Sequence, residues 1–319
     1  MRKLSVCVLF GGISPEHEVS LRSAESVLNN IDHSKYNVFP VGITKGGDWI
    51  HFTSRDYSLL HSGQEWMEYP KNRRAAISPV RGQGLLTFEG DCVVRERIDV
   101  VFPVLHGANG EDGAMQGLLQ LAGIPYVGSH VAASAVAMDK TLTKLVADQA
   151  GIRQAAWRLV WSGEHQKERV LNALEEQFQY PMFVKPAGTG SSVGVSKVKN
   201  REELIAALET AAQYDRKILV EEFIHGREIE VAVMGNDSPV ASICGEIDSG
   251  AEFYDYEAKY VTDTSRAYIP ARISEETEEA VRDAAVRIYQ AIGCQGLSRV
   301  DFFVTYEGED VIFNEINQI

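Results

Sequence analysis

Apolar residues along this chain follow two rhythms, and the change from one to the other divides it. Leu4 to Phe10 is an apolar run interrupted only by Ser5, the pattern of a strand covered on both faces. Gly11-Gly12-Ile13-Ser14-Pro15-Glu16 then turns into a helix, with Ser14 suited to the cap and Pro15 to the first helical position. Ala24, Val27, Leu28 and Ile31 recur on one face of that helix. Asn37 to Ile43 predicts a second strand, and Lys45-Gly46-Gly47-Asp48 a hairpin turn into Trp49-Ile50. Residues 53–97 are polar and poorly periodic, which predicts an insertion with limited order of its own. Ile98 to Leu105 is another strand, followed by His106-Gly107 and a helix from Ala114 to Ala122. Such alternation predicts a parallel sheet wrapped on both faces.

A helix from Ser129 to about Ala150 leads into the second rhythm. Ala156–Trp161, Tyr180–Pro186, Val195–Val198 and Lys217–Ile224 predict short strands, with helices at about 165–178 and 201–214, together a small α+β unit. Glu228–Met234 and Val240–Ile247 predict antiparallel strands. Ser274 caps a helix whose first turn carries Glu275, Glu276 and Glu278, favourable beside the positive helix end, and which stops near Gly293. Leu297–Thr305 and Asp310–Glu315 are the last strands, joined through Glu307-Gly308. The fold class is therefore α/β and α+β, in more than one domain.

Composition narrows the partners. With 319 residues, 45% of them hydrophobic and 24% charged, the chain is long enough for two or three cores. A net charge of −14 argues against nucleic acid or anionic lipid, both of which require dense positive surface. An anionic substrate would need cations gathered locally. Cys7, Cys92, Cys244 and Cys294 are too scattered for a zinc site or a disulfide framework, and are expected as thiols in a reducing cytoplasm. The short apolar run at the N-terminus, broken by Gly11 and Gly12, predicts a strand and not a signal peptide, and no segment reaches the ~20 apolar residues of a membrane span.

Candidate chemistry begins at Phe183-Val-Lys185-Pro-Ala-Gly188-Thr-Gly190-Ser-Ser-Val-Gly194, a strand that delivers a lysine into a loop of glycines and serines. Exposed backbone amides in such a loop form an anion-binding concavity, and Lys185 adds a full charge. Taken alone the loop reads equally as a tight turn. The ending Arg299-Val300-Asp301-Phe302 with Asn314-Glu315-Ile316-Asn317 carries more weight. Side chains alternate across a strand, so Arg299 and Asp301 share one face, and Glu315 and Asn317 share one face of the neighbour. If the hairpin pairs these strands, Asp301, Glu315 and Asn317 converge as hard oxygen ligands of the kind Mg²⁺ takes. The same pattern reads as the solvent face of an amphipathic hairpin, and the phosphate loop upstream favours the metal. Ile218 to Ile224 is an apolar strand carrying Glu221 and Glu222, either a solvent-facing strand end or a linker that meets a nucleobase and ribose.

These residues, taken in order, resemble the D-alanine–D-alanine ligases of the ATP-grasp superfamily over nearly the whole chain. The matching segments are Gly11 through Leu21, His106-Gly107 through Glu111-Asp112-Gly113 with Gln116-Gly117, Gly123 through Gly128, Met138-Asp139-Lys140, the Lys185 loop, Phe253 through Tyr260, and Arg299-x-Asp301 with Asn314-Glu315-Ile316-Asn317. The resemblance implies a Rossmann-like N-terminal domain (1–133) followed by a two-part ATP-grasp module, central (134–225) and C-terminal (226–319). It implies ATP as substrate, two Mg²⁺ ions (with Mn²⁺ as an alternative), D-alanine, a homodimer and a role in peptidoglycan precursor synthesis.

By the same resemblance, Lys140 and Lys185 neutralise nucleotide phosphates, Lys259 neighbours the transferred phosphoryl group, and Arg299 stabilises the developing oxyanion. Asp301, Glu315 and Asn317 hold Mg²⁺. Glu221, Phe223, Ile224 and Glu228 match adenine and ribose contacts, and Phe303 lies under the adenine. Glu16 matches the carboxylate that holds the ammonium of the first D-alanine, with Ser191 and Tyr260 in a hydrogen-bonded set that orients a loop over the site. His106 either shapes the second-substrate pocket or bonds to its own loop.

Two departures stand out. Glu222 occupies a position where many relatives carry lysine, and the sequence stops at Asn317-Gln318-Ile319 where the family continues through a Pro-Gly-x-Thr turn. Relatives that join D-alanine to D-serine or D-lactate are the near alternative; Tyr260 favours a dipeptide former. A non-catalytic nucleotide-binding module or a dehydrogenase is the distant one, the latter opposed by Gly-Gly-Ile-Ser-Pro after the first strand where Gly-x-Gly-x-x-Gly is needed.

Overall fold

The computed structural model describes residues 2–61, 65–248 and 266–318. The chain divides into two compact units, residues 1–134 and 135–318.

In the first unit β1 (Leu4–Gly11) lies parallel to β2 (Tyr36–Ile43) and β7 (Val100–Pro103). Its side chains are buried alternately in two cores. Val6, Val8 and Phe10 pack with Leu21, Ala24 and Leu28 of α1 (His17–Asn30), while Cys7 and Leu9 pack with Met115 and Leu119 of α2 (Ala114–Ala122). Each fully buried large side chain contributes roughly 1.5–3 kcal/mol, so this strand anchors both layers.

The sheet is not parallel throughout, and the described residues of the segment 53–97 are not loosely ordered. From β2 outward, β3 (Trp49–His51), β4 (Arg73–Ile77), β5 (Leu85–Glu89) and β6 (Cys92–Glu96) add antiparallel neighbours, completing seven strands. Phe52, Leu60 and Trp66 are sealed into the α1 core. Strands of three to five residues with exposed Arg73 and Arg74 are too short to display a period, and their order comes from tertiary packing. Ser14 is also not the cap of α1. That helix starts after Glu16, and Ser14 Oγ instead accepts from Glu16 N at 3.1 Å and donates to His106 O at 2.7 Å.

The helix expected over 129–150 is two helices, α3 (Val131–Met138) and α4 (Lys140–Gln149). Asp139 breaks it: its carboxylate accepts from Thr141 N at 3.0 Å and Leu142 N at 3.3 Å, starting a new helix where the old one would have continued.

In the second unit a four-stranded antiparallel sheet runs β10 (Ser196–Val198), β9 (Met182–Pro186), β11 (Lys217–Glu222), β8 (Trp157–Trp161), with α5 (Glu168–Gln177) and α6 (Arg201–Ala211) packed on it. A second antiparallel sheet runs β15 (Arg266–Tyr268), β14 (Gly245–Asp248), β12 (Gly226–Gly235), β16 (Gly296–Thr305), β17 (Val311–Gln318). The strand expected over 240–247 is split, because Ser242 bonds to Ala232 beyond the short β13 (Val240–Ala241) and the chain bends before β14. Helix α7 (Glu275–Ile292), capped by Ser274 as the sequence predicts, buries Val281, Ala285, Ile288 and Tyr289. Val300, Phe302 and Val304 form the buried side of β16.

Candidate active site

Because even-numbered residues of β16 are buried, odd-numbered Arg299, Asp301 and Phe303 face the open side of the sheet. Register places Glu228 opposite Phe303 and Glu230 opposite Asp301 on β12. On β17, Phe313 pairs Phe302 but Glu315 pairs Asp301, so Asn314 is an extra residue in a bulge. The bulge moves Glu315 and Asn317 onto the open face beside Asp301 and Arg299. Asn317 Nδ2 donates to Asp301 Oδ2 at 3.0 Å, so Oδ1 is the atom of that amide able to meet a cation. Arg299 also lies 3.3 Å from Glu230. Burial works against the Arg299 charge, but Asp301, Glu230 and Glu315 outweigh it and raise the guanidinium above its ordinary value.

Two carboxylates and an amide oxygen on adjacent strands fit a hard cation such as Mg²⁺, which completes its shell with phosphate and water oxygens. Among the described residues no cluster of three or more His, Cys, Asp or Glu offers an all-protein cage.

Lys185, at the end of β9, places Nζ 2.6 Å from Glu221 Oε2 on the neighbouring strand. Glu221 is buried, and its other oxygen lies 2.5 Å from Nζ of Lys144 on α4. Burial alone would raise the Glu221 carboxyl, yet the two lysines prevail and hold it down at about 2. Burial likewise opposes charge on Lys185, and Glu221, then Glu315 and Glu228, raise it. Lys140, one turn before Lys144, donates to Thr189 O at 2.7 Å and lies 3.7 Å from Glu315. Lysines from α4 and β9 therefore border the face that carries Asp301 and Glu315. Phe223 stacks near Phe183 with ring centroids 6.1 Å apart, and Lys197 Nζ sits 4.0 Å over its ring. Ile224 lies on the crossing into β12 and Glu228 within that strand, both half-buried. Glu222 Oε1 accepts from Ala156 N at 2.7 Å, so it fastens its own strand end.

The loop after Lys185 holds Ser191 and Ser192 at positive φ (48° and 58°), a left-handed backbone that is rare outside glycine and turns successive amides to one side. Gly188 N is fixed to Asp215 Oδ2 at 2.7 Å. Gly194 closes the loop at φ 74°, where a Cβ would stand 2.8 Å from Pro186 Cγ and from Tyr214 Cδ2.

In the first unit Glu16 ends the turn after β1, close to Gly107, where a Cβ would lie 2.2 Å from Glu16 Oε2. His106 Nε2 bonds Ser23 Oγ on α1 at 3.1 Å, and its Nδ1 lies 3.7 Å from Glu111 of its own loop. Burial opposes the His106 charge, while Glu111 and Glu16 raise it above its ordinary value. A cavity of about 340 Å³ lies alongside, lined by Gly11, Gly12, Ile13, Leu105, His106 and Asn109 among others.

Lys259 and Tyr260 lie outside the described residues. Two groups escaped the sequence reading. Glu230 carried a signal, since it alternates with buried Ile229 and Val231. Lys144 carried only its i, i+4 spacing from Lys140, which does not reveal that one of the two lysines is sealed.

Comparison with known proteins accounts for both units. Residues 5–129 match the family described as D-ala D-ala ligase N-terminus and residues 146–319 the one described as D-ala D-ala ligase C-terminus. The chain is similar to the D-alanine–D-alanine ligase of Caldicellulosiruptor bescii (47% identical, over 100% of this chain and 87% of the relative) and to that of Acetivibrio thermocellus (49%, 99% and 87%). Among solved structures it resembles the VanG D-Ala:D-Ser ligase of Enterococcus faecalis (TM-score 0.89, 40% identical, 99% and 90% covered). It also resembles the D-alanine–D-alanine ligase of Coxiella burnetii (TM-score 0.86, 34%, 100% and 85%). Matched along both units by the same family and at this identity, the chain belongs to the D-alanine–D-alanine ligases.

Proposed function

We propose that the protein joins two D-alanine molecules at the expense of ATP, for peptidoglycan precursor synthesis. The carboxylate of the first D-alanine attacks the γ-phosphorus of ATP and ADP leaves; the amine of the second attacks the acyl phosphate and inorganic phosphate leaves. The observation that supports this reading is the single open sheet face carrying Arg299, Asp301, Glu315 and Asn317, bordered by Lys140 and Lys185. Each step gathers negative charge, and fixed cations stabilise it without reorganising at the moment of reaction. Lys140 and Lys185 meet the nucleotide phosphates, Lys259 the transferred phosphoryl group, and Arg299 the oxyanion of the tetrahedral intermediate. Glu221, Phe223, Ile224, Glu228 and Phe303 receive the adenosine. Glu16 takes the ammonium of the first D-alanine, while Ser191 and Tyr260 order loops that exclude water. Asp301, Glu315 and Asn317 would hold Mg²⁺, which when bound neutralises phosphate oxygens.

The test is phosphate release that requires ATP, Mg²⁺ and D-alanine, fails with L-alanine, and is matched by a product of dipeptide mass. Phosphate without dipeptide would refute the reading. The likeness to a D-Ala:D-Ser ligase favours one second reading, which a mixed product with added D-serine would establish. No helix among the described residues is long and apolar enough to cross a membrane. A homodimer in the cytoplasm is the expected setting, and the mass in solution from sedimentation equilibrium, set against the chain mass, checks the dimer.

A further inference from the structure

Three charged groups form a line through the second unit: Lys144, Glu221 and Lys185. The outer pair differ in surroundings. The Lys144 side chain is 2% exposed, and among the described residues its Nζ meets Glu221 Oε1 at 2.5 Å and Gln154 Oε1 at 3.5 Å. Lys185 is 14% exposed and feels Glu315 and Glu228 as well as Glu221. A buried carboxylate that loses its last cation is strongly disfavoured. If Lys185 were its sole partner, swinging that ammonium toward a phosphate would strand Glu221.

We infer that Lys144 is a positioning residue for the nucleotide step, a sealed counter-charge that holds Glu221 so that Lys185 is free to exchange the carboxylate for a phosphate oxygen. This rests on the proposed reaction. Lys144 touches no substrate; it acts through Glu221. Helix α4 supports the division of work, because Lys140, one turn earlier, is directed to Thr189 in the phosphate loop while Lys144 points inward.

A double-mutant cycle tests it, using KM for ATP, kcat, and the Kd of ADP by calorimetry with the full chain. In Lys144→Met, KM for ATP and Kd for ADP are expected to rise roughly tenfold, within the range of couplings between contacting charges, with kcat changed less than about threefold. In a Glu221→Gln background the same substitution is expected to change them less than about threefold, since no buried charge remains to be stranded. Equal penalties in both backgrounds, or none in either, would overturn the inference in favour of simple packing. If Lys144→Met accumulates only in the Glu221→Gln background, the charge coupling is supported; if it folds in neither, and Lys144→Gln behaves the same, the inference is overturned. Wild-type protein that binds ADP but forms no dipeptide would instead refute the proposed reaction, a separate result from an additive cycle in an active enzyme.

Discussion

Asp301 accepts both guanidinium hydrogen bonds of Arg299, two residues before it on the same strand, from Nε and Nη2 at 2.8 Å each. Such a fork fixes the guanidinium plane, which a single ammonium cannot reproduce. Arg299→Ala is expected to lower kcat by at least ~100-fold, the scale for losing one preorganised donor to a developing charge. Arg299→Lys should recover little of it. Single-turnover phosphate release coupled to dipeptide formation is the measurement, and near-wild-type rates in either variant would contradict the role.

Lys185→Ala is expected to cost a similar ~100-fold or more in turnover while the protein still folds, because Lys144 remains beside Glu221. Thermal melting together with steady-state kinetics separates the two effects.

Asp139 caps α4 and forms an ion pair with Lys217. Burial pushes its carboxyl up, but Lys217, Thr141 and the Leu142 amide outweigh that and hold it below its ordinary value of 3.8. A carboxylate depressed in the folded state adds stability above its unfolded pKa, and that stability is lost as pH falls through the folded value. Asp139→Asn keeps the cap and removes the charge, so it should lose about 1 kcal/mol at neutral pH. The gap in melting temperature from wild type should close as pH drops below about 4. A gap that stays constant with pH would exclude the mechanism.

Gly194→Ala places a methyl group against Pro186 and Tyr214 at positive φ. A cost of about 1–3 kcal/mol is expected, with a higher KM for ATP as the loop amides shift. Chemical denaturation measures the first and initial rates the second.

The hairpin of β16 and β17 was legible because Arg299 alternates with Asp301, Glu315 alternates with Asn317, and Glu307-Gly308 marks the turn, while the bulge at Asn314 that brings the two pairs to one face was not. Lys185 and its loop were legible for a similar reason: glycine spacing reports backbone geometry directly. The helix break at Asp139 was visible in composition only as one aspartate among apolar residues, since the competition between side chain and backbone is decided by a few hydrogen bonds. The strands between residues 53 and 97 were hidden because burial of Trp66 and Leu60 depends on α1, far away in sequence. Lys144 was hidden because a lysine's letter gives no hint of whether solvent reaches it.

The unpaired Asn314 carries a consequence of parity. Pair the same sequence without the bulge, with Asn314 opposite Asp301, and the strand beyond it would slide by a single step, exchanging the side chains that look outward with those that look inward. Ile316 would then stand on the open face opposite Arg299, and the acid at 315 would be driven into oil opposite Val300. The proposed chemistry thus hangs on one residue that stays outside the ladder.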